Sequence, residues 1–554
     1  MRLTFTSLYI IIYNEGDECM AIIYQKNKQT GITYAYENEA YWDKDKQQSR
    51  ARRKLIGKVD PETGEIIPTR AYKKKSDQAM TTPAKQGPLP ITTIQRSFYG
   101  ATYLFDQIGE TIGIRADLKS CFPEMYKQIL SVAYYLILEE NNPLSRFSHW
   151  QKTHIHPYGE DLPSQRSSDL FQSIDEASRM RFFQKQGKRR LEKEYWAFDT
   201  TSISSYSEVL KQVKRGKNKE HDHLPQLNLA LLFGEASRLP FYYRKLPGNI
   251  TDVSTIRELV EEFDVMGYKK IKLVLDRGFY SQKNINALYQ HHQKFIVGTK
   301  LNLKYVKTIL DEERENLKLW THLQGPFNTN GICRPIEWDY EQERPYKGDV
   351  LKETRRAYLL LFYNPEKAAK DQVAMNDHLT QLQNDLLAGK RREYHANEYD
   401  KYFTVSETPK RGRKVEPKEE AIREASKNFG YFALLSNEVK DPFDALSLYR
   451  SKDIVEKAFG NLKERLNFRR MQVSSELSLN GKLFVEFIAL IYLSYVKKKM
   501  QEAKLFEKWT LQGLLDEMDS IELFEAPGHG RILGEMTKKQ EKLFRDLGVN
   551  PPSL

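Results

Sequence analysis

Three observations predict an α/β fold built on a mixed sheet. Two apolar runs, Glu194 to Phe198 and Lys270 to Leu275, each end abruptly in an aspartate, Asp199 and Asp276. Between them lie two further strand-like runs, Leu227 to Phe233 and Pro240 to Leu246, joined in hairpin fashion, and then a helical stretch capped at Thr251-Asp252 and closing near Met266. A helical crossover joins parallel strands, so the strand ending at Asp276 should run parallel to a strand of the same sheet, and the one ending at Asp199 is the natural candidate. Both carboxylates then emerge at one sheet edge. Neighbouring strands lie about 4.8 Å apart, which brings the two close enough to share a divalent cation. Like charges held that close repel, and a metal is a physical reason for keeping them there.

The totals set the frame. With 554 residues, 40% hydrophobic and 12% aromatic, the chain can bury the cores of several domains. Its 87 Lys and Arg against 75 Asp and Glu leave a charge of +12, which favours a polyanionic partner such as DNA or RNA. Cys19, Cys121 and Cys333 are odd in number and far apart, so neither a disulfide framework nor a CxxC metal pattern is present, and a reducing cytoplasm fits. The apolar run Leu8 to Tyr13 lacks the flanks of a signal peptide, and the nineteen residues before Met20 read as a leader or a misplaced start. The run Leu483 to Val496 holds Glu486 and is short for a bilayer span, so a buried core helix is expected and no membrane partner.

In chain order, residues 1–72 form a β-rich module: Ala21 to Tyr24, Gly31 to Tyr36 and Arg53 to Val59 favour strands, and Asp60-Pro61-Glu62-Thr63-Gly64 is a turn. Residues 73–96 are a basic linker, either following a phosphate backbone or merely flexible. Residues 97–190 turn helical, at Gly100 to Ile112, Pro123 to Glu139 and Pro163 through Gly187, and end in Lys185, Lys188, Arg189 and Arg190. Such a bundle is either a duplex-binding region or plain scaffolding. His154 with His156, and His221 with His223, have HxH spacing but no third ligand in register, so they read as loop histidines.

The stretch Asp441 to Phe468, read as one helix, places Tyr449, Lys452, Glu456 and Lys463 on one face and Val455, Phe459, Leu462 and Leu466 on the neighbouring arc. A solvated face with ordinary ion pairs would show the same pattern. Asp453 lies beside Glu456 as a possible substitute ligand. From Asp276 to Glu456 is far more chain than a helix connection needs, so a subdomain is inserted. Within it Arg356 to Tyr363 reads as a strand, Pro365 to Leu387 as a helix and Tyr402 to Ser406 as a strand. Two basic clusters mark its loops: Lys390, Arg391 and Arg392, then Lys410, Arg411, Arg413 and Lys414. They either hold DNA or are solvated loops. The tail from Gln501 reads as two short helices separated by Pro527-Gly528-His529-Gly530.

The order of strand with Asp, antiparallel hairpin, helix, strand with Asp and, far downstream, helix with Glu resembles the RNase H-like fold of DDE transposases and integrases. More narrowly, it is similar to cut-and-paste insertion-sequence transposases whose third motif is YxxRxxxExxxxxxK. Tyr449, Lys452, Glu456 and Lys463 match it, with Lys452 standing where the pattern has arginine, so the charge is kept and the bidentate fork lost. The likeness spans roughly Glu194 to Val496. It implies an RNase H-like mixed sheet with flanking helices, divided as a first catalytic part at 191–300, a β-rich insertion at 301–428 and a second part at 429–500, with a helical segment at 501–554. It implies Asp199, Asp276 and Glu456 as catalytic ligands of two Mg²⁺ or Mn²⁺ ions. Tyr449, Lys452 and Lys463 would contact the terminal strand, and the two basic clusters are candidates for holding the DNA end. Terminal inverted repeats and target DNA are the implied partners, with a homodimer in the end complex and a place in the cytoplasm at the nucleoid. A nuclease of the same fold that does not join ends, and an inactive DNA-binding derivative, are the rival readings.

Overall fold

The computed structural model describes residues 9–11, 20–27, 29–43, 47–61, 63–68, 94–140, 142–190, 194–205, 210–216, 224–250, 252–268, 270–344, 347–408, 412–466, 470–471, 475–526 and 530–553. The chain forms two compact units, Met1–Pro88 and Leu89–Leu554.

The first unit is an antiparallel sheet whose strands follow chain order: Tyr9–Ile11, Met20–Lys26, Thr33–Asp43, Gln48–Val59 and Ile66–Pro68. Its last turn is the predicted one. Gly64 takes φ +74°, which a side chain resists, and donates its N–H to the Asp60 carbonyl at 3.0 Å. Residues 73–93 of the expected basic linker, 73–96, lie outside the described residues.

The second unit is organised by a mixed sheet flanked by helices. Its main strands are β1 (Trp196–Ser205), β2 (Gln226–Gly234), β3 (Pro240–Pro247), β4 (Lys272–Leu275), β5 (Lys294–Thr299), β6 (Thr329–Arg344), β7 (Asp349–Tyr363) and β8 (Tyr431–Ser436), with two-residue strands Leu323–Gln324 beside β6 and Arg470–Met471 beside β1. They lie in the order β6-β7-β8-β5-β4-β1-β2-β3. Antiparallel pairing joins β1 to β2 and β2 to β3, whereas β1, β4 and β5 run parallel. The crossover from β3 to β4 is α1 (Asp252–Val265), and α2 (Gln282–Gln290) carries the chain from β4 to β5. Strands β1 and β2 are buried almost throughout, as strands covered on both faces must be.

The region expected as an inserted subdomain divides in two. Its first half extends the same sheet, because the long hairpin β6–β7 pairs through β8 onto β5. Its second half, Pro365–Ser426, is a satellite with a separate core of Leu382, Leu386, Tyr399, Tyr402, Phe403 and Val415.

Helix α5 (Glu476–Glu502) is the buried helix expected around Glu486, and runs well beyond the apolar stretch. By length and composition it could cross a membrane, but it is mostly covered by this protein's own side chains. At Gly481 a Cβ would meet the Phe171 carbonyl oxygen at 2.0 Å, so two backbones touch there. The helix expected from Pro163 through Gly187 is in fact two, Ser164–Ser173 and Glu176–Lys188. Ile174 leaves helical angles at ψ 92°, and Asp175 caps the second helix by accepting from the Ser178 N–H at 2.8 Å. The tail has the two expected short helices, Leu511–Asp519 and Lys538–Asp546, but strands not expected lie between them. Pro527-Gly528-His529 joins two strands, Glu522–Ala526 and Gly530–Leu533, and the first of these pairs with Gln95–Phe98.

Candidate active site

The parallel register sets the site. Leu275 of β4 stands opposite Phe198 of β1, so the next residues, Asp276 and Asp199, come side by side where β4 ends and β1 continues. An aspartate at a strand end is often spent as a turn cap. Asp276 is not: it precedes the short 3₁₀ turn Arg277–Phe279 without a side-chain capping bond. Its Oδ1 instead accepts from the Tyr449 hydroxyl at 2.7 Å and from Lys452 Nζ at 2.9 Å.

Those two donors arrive together because of a break in the expected helix. The stretch 441–468 is not one continuous α-helix. It consists of α3 (Pro442–Ser451), α4 (Asp453–Gly460) and a π-helical turn, Asn461–Arg465. At the first junction Lys452 takes φ −59° and ψ −21°, and its N–H reaches back to the Tyr449 carbonyl at 3.3 Å, three residues away. These are 3₁₀ parameters, and in such a turn side chains at i and i+3 eclipse. Tyr449 and Lys452 therefore point the same way and meet one carboxylate. One turn on, Glu456 Oε1 lies 3.7 Å from the same ammonium.

Helix α3 is started by Asp441, which accepts from the N–H groups of Phe443 at 2.9 Å and Asp444 at 2.8 Å, with Pro442 in the first turn. It buries Ala445 and Leu446 against Ile296, Leu360, Phe362 and Leu434 of the sheet. A glycine lets Tyr449 reach the strand ends: a Cβ on Gly298 of β5 would stand 2.6 Å from the Tyr449 hydroxyl. Sequence reasoning had not singled out Gly298. A small residue on a strand packed beneath a conspicuous tyrosine was the only available signal.

Electrostatics ties the group together. Burial acts to raise the Asp276 carboxyl, but the hydrogen bonds from Tyr449 and Lys452 and the lysine charge outweigh it, holding the group below the usual carboxylate range. Burial and the neighbouring Asp276 charge push the Tyr449 phenol up, so it stays a donor. Burial acts to lower Lys452, yet Asp276, Glu456 and Asp199 together raise it. Asp199 thus belongs to the same field, and its Oδ1 also accepts from the Thr200 N–H at 2.7 Å.

Two carboxylates, Asp276 just past the end of β4 and Glu456 on α4, lie within 4 Å of the Lys452 ammonium, and Asp199, inside β1, adds its charge to the same field. The donor set is all oxygen, and Asp276 and Glu456 remain 42% and 60% exposed, so the residues fit a hard divalent cation that solvent can reach.

The remaining predicted residues are spread more widely. Lys463 lies half-buried on the π-helical turn. Asp453 does not join the cluster but lines a separate cavity with Arg450, Lys457 and Lys497, while the Arg450 guanidinium stacks over Phe327 at 5.3 Å. Both basic clusters fall on the satellite. Arg391 pairs with Asp400 at 3.0 Å and Arg392 with Asp385 at 3.1 Å, leaving Lys390 exposed beside them. Arg413 pairs with Glu407 at 2.9 Å and Lys414 with Glu416, whereas Lys410 and Arg411 lie outside the described residues. Of the HxH pairs, His154 meets Asp519 at 3.0 Å and buried His156 meets Ser131 at 3.1 Å, both structural contacts, and His221 and His223 lie outside the described residues.

The mixed sheet thus sets Asp276, at the end of β4, beside Asp199 of β1, with Glu456 carried in by a helix. The family description "Transposase DDE domain" matches residues 191–492, more than half of the chain and the whole of this constellation. The chain belongs to that family and is a DNA transposase. Its members are DNA-cleaving and strand-transfer enzymes that generally use divalent metal ions. Among solved structures the chain is similar to a piggyBac transposase, seen by cryo-EM in a synaptic complex with hairpin DNA. The TM-score is 0.31 at 10% identity, over 75% of this chain and 70% of that one, too distant to bear on the site. No curated protein matches the chain.

Proposed function

We propose that this transposase cuts and joins the ends of an insertion sequence at a site formed by Asp199, Asp276 and Glu456, which together hold two Mg²⁺ or Mn²⁺ ions. The observation that carries the reading is the shared ammonium: Lys452 Nζ meets Asp276 at 2.9 Å and Glu456 at 3.7 Å and responds to the charge of Asp199. The order β3-β2-β1-β4-β5, antiparallel through its first three members and parallel through its last three, is the arrangement expected of an RNase H-like sheet and supports it.

Asp199, Asp276 and Glu456 would hold the ions, which would supply activation of a water or a 3′ hydroxyl and charge stabilisation of the leaving oxygen in an in-line displacement at phosphorus. The chain's own groups prepare this. Asp276 is kept ionised by its two donors, and Tyr449 remains protonated and orients it. Lys452 supplies positive charge where a scissile phosphate would lie, as a point charge rather than a fork. Lys463, on the next turn, extends the phosphate contact along the strand. Lys390, Arg391 and Arg392, with Arg413 and Lys414, hold the DNA end from the satellite. A homodimer pairs the two ends at the nucleoid.

The test is strand transfer with pre-cut inverted-repeat ends, target DNA and Mg²⁺. Joined product is expected. Hydrolysis without joining would replace this reading with that of a nuclease.

A further inference from the structure

We propose that the satellite carries a second, chemically distinct metal site, formed by His378, His395 and Glu398 and selective for a first-row transition ion of the Zn²⁺ class. It is independent of the acid site.

The three ligands come from one long helix and the two short elements that follow it. His378 lies on the helix Pro365–Leu387, His395 ends the 3₁₀ turn Glu393–His395, and Glu398 sits in the first turn of the helix Ala396–Tyr402. Both imidazoles face the same carboxylate oxygen: His378 Nε2 is 3.2 Å and His395 Nδ1 2.5 Å from Glu398 Oε2. The ligand atoms all lie within 4.8 Å of one another, the one such group of three His, Cys, Asp or Glu among the described residues. Tetrahedral coordination with bonds of about 2.1 Å places ligand atoms roughly 3.4 Å apart. The His378–Glu398 pair already has that separation, and a side-chain rotation of about 1 Å brings in the rest. His395 is the most enclosed of the three and Glu398 the most open, at 18% and 41% exposure, so a fourth ligand can come from water. Two ring nitrogens and one carboxylate suit Zn²⁺, Co²⁺ or Ni²⁺ and are a poor cage for Mg²⁺.

The satellite has reason to use such a site. Its core is six residues, small for a unit of this size, and small units commonly need a staple. The ion would tie the long helix to the segment that follows it, and so fix both ends of the loop that carries Lys390, Arg391 and Arg392.

The experiment uses the full chain, stripped with chelator and dialysed against Zn²⁺ alone in excess Mg²⁺, so that hard oxygen sites are filled. One Zn²⁺ per chain is expected, with Co²⁺ giving the visible spectrum of a nitrogen-ligated site. The double variant His378→Gln, His395→Gln should bind at least about a hundredfold more weakly. Trypsin should cut after Lys390, Arg391 and Arg392 more slowly with Zn²⁺ than without, and the variant should lose that protection. Should the double variant fail to fold by circular dichroism, Glu398→Gln reads the same affinity with both histidines in place. The proposal is overturned if no Zn²⁺ is retained, or if these variants hold it as tightly as the parent. Neither readout involves DNA cleavage, so failure here leaves the acid site standing.

Discussion

The acid group around Asp276 and the histidine cluster of the satellite bring potential ligands together in two different ways. At the acid site the ligands are far apart in sequence, and a parallel register between β1 and β4 aligns two of them. In the satellite they lie within one helical hairpin, His378 to Glu398. Asp276 is held by Tyr449 and Lys452, which offset repulsion from its acidic neighbours, whereas in the satellite both imidazoles lie directly against the Glu398 carboxylate. On the proposed reading, donor chemistry more than proximity would separate the two: all-oxygen ligands suit exchangeable Mg²⁺, whereas two imidazoles and a carboxylate suit a tightly held transition ion.

The sharpest way to break the comparison is at Glu456. Glu456→Ala should lower metal-dependent nicking of end-containing DNA by about a thousandfold or more while zinc binding in the satellite stays put. Equal loss at both places would mean the two are coupled. Next come the groups behind Asp276. Tyr449→Phe removes one of its two side-chain donors, and Gly298→Ala drives a methyl against the Tyr449 hydroxyl, so each should cost about 10–100-fold in nicking rate. A rate within about twofold of the parent would leave Tyr449 as packing only.

Glu486 sharpens the contrast from another side, as a carboxylate buried at 0% exposure with Lys482 3.8 Å away. Burial pushes it up to about 8, above the value of an unfolded glutamate near 4.3. The stability it contributes is therefore whole below about pH 4 and lost as pH rises toward about 8. Glu486→Gln should reduce the stability difference between pH 5 and 8 by about 1–3 kcal/mol in denaturant titrations. An unchanged difference would show that Lys482 keeps the carboxylate charged. The smallest effect is expected at the satellite loop. Replacing Lys390, Arg391 and Arg392 with serine should lower the dependence of log Kd on log salt by about 2–3 without changing the nicking rate of bound DNA.

Much of the acid site was legible because its determinants are coarse. Apolar runs ending at Asp199 and Asp276 announce strands, and the crossover α1 fixes their direction. The break at Lys452 was not legible, since a 3₁₀ junction leaves the helical periodicity of the sequence nearly intact. Strand β6 escaped notice because Pro335 interrupts it and charged residues crowd its outer half, which an edge strand tolerates. The strands after Ile521 escaped notice because the Pro527-Gly528 pair in the sequence suits a helix end equally well. The histidine cluster follows no spacing rule, because its members meet through the fold of the satellite core.

The central claim is that Asp276 is a metal ligand, not a structural partner of Lys452. The direct test measures nicking of inverted-repeat DNA by Asp276→Ala and Asp276→Cys, with DNA binding followed in parallel. Intact binding, no nicking by either variant in Mg²⁺, and partial recovery of the cysteine variant in Mn²⁺ are predicted. Nicking by Asp276→Ala at the parent rate would contradict the account.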